Sequence, residues 1–515
     1  MNNNWADGYV SDIEYLDGWY AEQMPPHLDV ACLVRATEPP VEAGEPFLYC
    51  ELGCGVGKSA AAVASTSPHA EVWGIDFNPA HIARARHLSK EGGLDNLHLE
   101  DWTFADLAGR HGAALPRFHY IVMHGVWSWI SPENQRHIVD FIDTHLEPGG
   151  LVYVTYNALP GWNNVAPMQR MIRSLALQRD GRSDDRAAAA LGLVRQMADA
   201  GAGTLLPEQL SRLEEMSRKD SVAYVAHEYL NEHWQPCYQM DVAKALAPAR
   251  LVFVGSANIF DNYPDICLTK EQRELIDNSP LDLQETMRDF FMERTFRRDI
   301  FIRGARGIPA RRLENRLRAV RLTATIPTSA LSREIKVPVG GATLGEPFYG
   351  PALEQIAVGS PTLAEIFTHV DSTKSTATAR EAIGMLIGSK QAMPVVATNP
   401  TEGARERVRR YNTAQIRLRS DQGKPYAPLS GVAIGSAVTI QLIEMLAYTA
   451  LASGVPAEVG PVVDNCWNQL QSRGDHLAKD GRRIEDRAET IAVLEHNVPE
   501  ILSVALPMWR RVGAI

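Results

Sequence analysis

The residues with most chemical content lie early in this 515-residue chain. Glu51-Leu52-Gly53-Cys54-Gly55-Val56-Gly57 ends an apolar, β-rich run and precedes an alanine-rich stretch beginning near Lys58. Glycines in that position let the backbone turn sharply and let a ligand approach with no Cβ in the way. Gly55-x-Gly57-x-x-Ala60 also satisfies the looser dinucleotide fingerprint, so the glycines alone leave the ligand open. The acids discriminate better. Glu51 stands two residues before the first glycine, where a carboxylate repels a pyrophosphate but suits a cationic amino-acid end. Asp76 ends a second β-rich run, where a carboxylate accepts hydrogen bonds from both ribose hydroxyls. Asp101 ends a third run, placed to accept from an adenine amino group. Three acids on successive strand ends, with glycines on the first, favour S-adenosylmethionine (SAM) over NAD. Capping of the following helices accounts for any one of these acids, and less well for all three.

The elements that must hold these residues are readable between Phe47 and Ala158. FLYCELG, EVWGIDF, NLHLED, FHYIVMHGV and LVYVTYNA alternate with helical stretches, which predicts an α/β, Rossmann-like parallel sheet covered by helices on both faces. Ligands bind at the carboxyl ends of the strands of such sheets. Trp127, Trp129, Tyr156, Asn157 and Trp162 all fall on loops at those ends, an aromatic wall suited to a sulfonium or a substrate ammonium. Each ring taken singly also reads as core. The predicted organisation is an N-terminal arm over 1–45, the sheet domain over 46–164, a helical middle domain over 165–320, a linker and winged-helix-like module over 321–400, and a helical C-terminal domain over 401–515. Within the middle domain, RLVFVGSANI and DICLT, between 250 and 269, are expected to complete the sheet as antiparallel strands. The helices before them then form an insertion lying over the site.

Composition narrows the function classes. A net charge of −11 is the wrong sign for a surface that attracts nucleic acid throughout. Ten arginines between Arg294 and Arg321 face only Asp299 and Glu314, a patch expected to be a solvated or domain-interface face. The helix ATAREAIGMLIGSK carries only Arg380 and Lys390 as basic residues, so DNA recognition is not expected of it. Its apolar face is expected to pack on the catalytic domain or a second copy, giving a homodimer in the latter case. The six cysteines are scattered, indicating neither a disulfide framework nor a metal site. No export signal is expected from the N-terminal residues, and Gln441 and Glu444 interrupt the apolar run from Val432 to Val455. That run is expected to be a buried helix, no membrane association is expected, and a cytoplasmic location is the default.

ELGCGVG, GIDFNPAHIARAR, HGVWSWI and YVTYNALPGW, with HEYLNEHWQPCY from His227 and DFFMERTFRRDIF from Asp289, together resemble the class I SAM-dependent methyltransferases that carry a methyltransferase regulatory domain. These include enzymes similar to the rickettsial protein-lysine methyltransferases. The resemblance implies methyl transfer, and it carries Glu51, Gly53, Gly55 and Gly57 onto the first SAM motif, Asp76 onto the ribose acid and Asp101 onto the adenine acid. Cys54, Phe77 and Trp102 accompany them as expected cofactor contacts. Tyr20 lies in a segment resembling the cofactor-covering arm of the family. His124 matches a position bordering both cofactor and acceptor, where it would orient or deprotonate the nucleophile; a hydrogen-bonded strand-end histidine is the other reading. His227 and Tyr229 would reach the pocket from the insertion or pack beneath it. The acceptor expected is a protein side chain, lysine foremost, with a small-molecule O- or N-methyltransferase as alternative and a non-catalytic SAM-binding regulator as a third reading.

Overall fold

Each β-rich run forms a strand: β1 Leu48–Leu52, β2 Glu71–Ile75, β3 Leu97–Glu100, β4 Phe118–Met123 and β5 Leu146–Asn157. The computed structural model describes residues 7–13, 18–109, 111–205, 207–220, 222–370, 375–479 and 482–515. Residues 1–6 and 14–17 of the expected arm, and 371–374 of the expected winged-helix-like segment, lie outside the described residues. Two further strands, β6 Leu251–Ser256 and β7 Phe296–Arg303, complete a seven-stranded sheet of order β3-β2-β1-β4-β5-β7-β6. β7 runs antiparallel to both neighbours and the first five strands are parallel.

Successive strand residues point to opposite faces. Tyr120 and Val122 join one core with Tyr49, Val72 and Tyr153, while Ile121 and Met123 join another with Cys50, Leu52 and Ile75. Helices α1 Pro25–Val34, α2 Lys58–Thr66 and α3 Pro79–Gly92 supply the first core, and α4 Phe104–Ala108 and α5 Pro132–His145 the second. Covering both faces explains why the central strands are apolar throughout instead of alternating.

Four helices follow β5 as the expected insertion: α6 Ala166–Ala176, α7 Ser183–Asp199, α8 Pro207–Asp220 and α9 Val222–Tyr229. They share a small core of their own with Val10 and Ile13. The chain is tied there by Asp12, whose carboxylate accepts from the Ser183 amide at 2.8 Å and hydroxyl at 2.6 Å, at the start of α7. Helix α10, Gln239–Leu246, then leads into β6.

Two expectations need correction. DICLT is not a strand: Pro264–Ile266 is a helical turn, and Thr269 caps the helix Lys270–Asp277 through a capping box with Gln272. The missing strand is β7, whose polar sequence hides it. Arg297 is buried there by pairing with Asp289 at 2.7 Å, Asp299 at 2.9 Å and Glu285 at 2.9 Å, and Tyr156 donates to Asp299 at 2.7 Å. The run from Val432 to Val455 is only partly helical. A hairpin pairs Tyr426–Gly431 with Ser436–Gln441, and the helix begins at Leu442.

The C-terminal half is docked on the sheet domain. The helix Ala379–Gly388 buries Ile383 and Leu386 in the same core as α1, and Gly384 and Gly388 lie against Tyr263 and Phe260. The helix Glu402–Asp421 runs against α3, with Arg407 paired to Asp95 at 2.7 Å and Arg417 to Glu91 at 2.6 Å. The arginine-rich stretch is an interface: Arg312 and Arg316 pair with Glu38 and Glu42, Arg303 with Asp143, and Arg294 with Asp261. Among the described residues no helix is long and apolar enough to cross a membrane.

Candidate active site

The loop between β1 and α2 turns under the end of β2, with the Gly53 and Cys54 amides both donating to the Ile75 carbonyl, at 2.8 and 3.0 Å. Gly53 sits at φ +68°, and a Cβ there would fall 2.5 Å from Val126 Cγ2, so no other residue fits this turn. Gly55, at φ +55°, faces open space. Gly57 differs, since it caps α2 and packs on Ala85.

Asp76 is held by three donors. The Gly55 amide reaches Oδ2 at 2.9 Å, the Asn78 amide reaches Oδ1 at 2.9 Å, and His81 Nδ1 lies 3.2 Å from Oδ1. A carboxylate has about four acceptor sites, so capacity remains for hydroxyl donors. Glu51 is only 5% exposed, and Gln23 Nε2 donates to its Oε1 at 2.9 Å. Its Oε2 is buried with no hydrogen-bond partner among the described residues. Burial pushes this carboxyl up to about 8, against the help of Gln23 and the Ala60 amide and with added repulsion from Asp76. A buried acid in that state is largely protonated at neutral pH and gains its charge when a cation is seated beside it.

One cavity opens on this loop and a second adjoins it. One, of about 350 Å³, is lined by Tyr9, Gly53, Gly55, Asp76, Phe77 and Trp102 among others. The second, of about 420 Å³, lies between the sheet end and the insertion, and is lined by Asn157, Trp162, Arg212, Glu228, Tyr229 and Arg298 among others. His124, Gly125 and Trp129 line both. A smaller recess joins Tyr20, Glu51, Cys54 and His124.

His124 is fixed on several sides. Its Nδ1 lies 3.0 Å from the Tyr153 hydroxyl, and Tyr20 stacks on its ring at 3.5 Å. Burial, then the positive charge of Arg298, lowers its pKa to about 3, against the opposing charge of Glu22. The imidazole is therefore neutral at physiological pH.

Most of the residues singled out in the sequence meet here, but not all. Asp101 is outside the cavity linings, its carboxylate 3.8 Å from Arg86, while its neighbour Trp102 is inside. Trp127 is 1% exposed in the sheet core, and Tyr156 serves the Arg297 network. His227 is buried against Tyr9 and lines neither of the two cavities. Sequence reasoning passed over Gln23, His81, Tyr153, Arg298 and Glu228. Glu228 sits between two residues it did select, His227 and Tyr229, and the visible signal was an acid in a stretch otherwise rich in aromatics.

Comparison with known proteins agrees with this architecture. Residues 50–152 match the family model described as a methyltransferase domain, and residues 221–303 match the predicted methyltransferase regulatory domain. The Synechocystis sp. protein sll1526 is 31% identical over 518 residues, covering 99% of both chains. The Rickettsia prowazekii protein RP028 is 29% identical over 43% of this chain and 86% of its own. The structure of PKMT2 from Rickettsia typhi in complex with AdoHcy superposes with a TM-score of 0.68 at 17% identity, covering 97% of this chain and 99% of that one.

Proposed function

This chain belongs to the SAM-dependent methyltransferases that carry a methyltransferase regulatory domain, and from that premise we propose that it methylates a protein side chain, a lysine amine. The observation that carries the reading is the shared wall at His124, Gly125 and Trp129, which brings the cofactor-side cavity into contact with a second one. That second cavity combines a carboxylate with Tyr20, Trp129, Trp162, Tyr224 and Phe296. Carboxylate and aromatic faces together are the surroundings an alkylammonium prefers. The resemblance of the sequence to the rickettsial protein-lysine methyltransferases supports the same acceptor.

The residues present fit SAM. Glu51, with its unpartnered buried Oε2, would take the amino-acid ammonium. Asp76 would take the ribose hydroxyls, and Phe77 and Trp102 would border the base, with Gly55 leaving room for close approach. When bound, SAM supplies a methyl group activated by its sulfonium. The protein's own contribution is proximity, orientation and exclusion of water around the acceptor. His124, neutral and clamped between Tyr20 and Tyr153, acts as a positioning residue in that wall instead of a proton acceptor.

The test is incubation of the full chain with isotopically labelled SAM and with protein and metabolite extracts, read by mass spectrometry. Label in base-stable methyllysine is the expected result. Label confined to small molecules, or to base-labile esters, would overturn the reading.

A further inference from the structure

The mechanism above leaves one proton without a destination. A lysine acceptor arrives as an ammonium, and its lone pair is unavailable until a proton leaves. His124 does not serve, because burial and Arg298 keep its proton affinity far too low. Tyr20 and Tyr229 on the second cavity do not serve either: burial raises both, so each keeps its own proton.

We propose that Glu228 is the group that receives the acceptor ammonium in the second cavity and removes its proton, a role that rests on the amine-acceptor reading above. It is the one acid among the described residues lining that cavity. Residue 228 is on α9, so the insertion brings it to the same chamber as His124, Gly125 and Trp129. Asn157, at the end of β5 and 3% exposed, lies beside it on the cavity wall and favours its charged form. Tyr9, Tyr20 and Tyr229 are close enough to feel its charge, and all three stay neutral. Arg212 and Arg298 line the same cavity as fixed positive charges, and His124 contributes none.

Geometry and acidity agree. Burial lifts the Glu228 carboxyl to about 7, with Asn157 opposing the rise. A base poised there is charged when the acceptor binds and still able to take a proton at neutral pH. The step itself moves one proton. A carboxylate oxygen accepts it from the ammonium, leaving a neutral carboxylic acid and an amine with a free lone pair. That pair forms the new N–C bond while the C–S pair departs with sulfur. The nitrogen becomes a methylammonium, and the acid returns its proton to solvent as product leaves. Aromatic neighbours hold the cation before the step without competing for its proton.

The experiment compares wild-type chain, Glu228→Gln and Glu228→Asp, each saturated with S-adenosylhomocysteine, using n-butylammonium as binding probe and 1-butanol as neutral control, by calorimetry at pH 8. Wild type is expected to bind butylammonium at least tenfold more tightly than Glu228→Gln, with butanol and S-adenosylhomocysteine affinities unchanged and Glu228→Asp intermediate. Single-turnover methylation of a lysine peptide should rise through a limb near pH 7 in the wild type and lose that limb in Glu228→Gln, with a rate about a hundredfold lower. Equal probe affinity in the variants, no detectable probe binding by wild type, or an unchanged limb would overturn the role of Glu228. If Glu228→Gln fails to fold, Glu228→Asp decides by the same readouts. Amine products with an unaffected Glu228→Gln chain sink this role alone, whereas absence of amine products in the labelled survey sinks the acceptor reading and this role together.

Discussion

Glu51 makes cofactor binding a proton-releasing event. In the free protein its carboxyl titrates near 8 instead of 4.5, because burial penalises the charge and Gln23 and the Ala60 amide only partly compensate. At pH 6.5 such a group is roughly nine-tenths or more protonated, and the ammonium of SAM is likewise almost fully protonated. Seating that ammonium beside Oε2 favours the carboxylate, so the proton is expelled. Calorimetric titration at pH 6.5 in buffers of different ionisation enthalpy should therefore report release of roughly 0.9 proton per site. Affinity should climb about tenfold per pH unit between roughly pH 5.5 and 7.5, then turn over near 8 as the ligand amine itself titrates. The sign for stability is the reverse. The folded free protein binds the Glu51 proton more tightly than the unfolded chain does, so stability is lost as pH rises from 4.5 towards 8. Glu51→Gln should abolish the release while leaving the fold intact. Proton release below about 0.2 in wild type, or undiminished release in Glu51→Gln, would refute the pairing.

Two other perturbations separate site from scaffold. Asp76→Ala should weaken both SAM and S-adenosylhomocysteine by about a hundred- to ten-thousandfold, since two charge-assisted bonds of roughly 1.5–3 kcal/mol each are at stake; an unchanged isotherm from folded protein excludes the ribose assignment. Asp299→Asn should instead leave cofactor affinity alone and cost about 3–5 kcal/mol of stability, because it strips a partner from Arg297 inside the sheet; a denaturation midpoint equal to wild type rules this out.

The loop, Glu51 and Asp76 were legible because their chemistry is local: glycine spacing, an acid before it and an acid at the next strand end can be read within a few residues, whereas Asp101 falls outside the cavity linings. β7 was not, because Arg297 and Asp299 look like surface until Glu285 and Asp289 arrive from elsewhere to neutralise them. The strand was sought in DICLT, where Pro264 and the Thr269 cap select helix. Rings stayed ambiguous for the same reason: whether Trp127 faces a ligand or the sheet core is decided by which side of the sheet it lands on. Glu228 is the sharpest case. Nothing near it in the chain says that α9 folds back over Asn157, and only the cavity between them gives the acid a purpose.

The sheet is also out of step with the order of synthesis. β5 ends at Asn157, but its remaining neighbour, β7, is not made until Phe296–Arg303, after the whole insertion and β6. At usual elongation rates the ribosome needs on the order of ten to thirty seconds to supply the residues from 158 to 303. For that interval the nascent chain carries an apolar strand with one row of amides and carbonyls unpaired, the kind of edge that recruits other chains. A fragment cut at residue 152, where the methyltransferase match ends, would keep that edge permanently. Heterologous expression should accordingly be limited by what shields β5 during translation, and fragments reaching Arg303 should be far less prone to aggregate than fragments ending before Phe296.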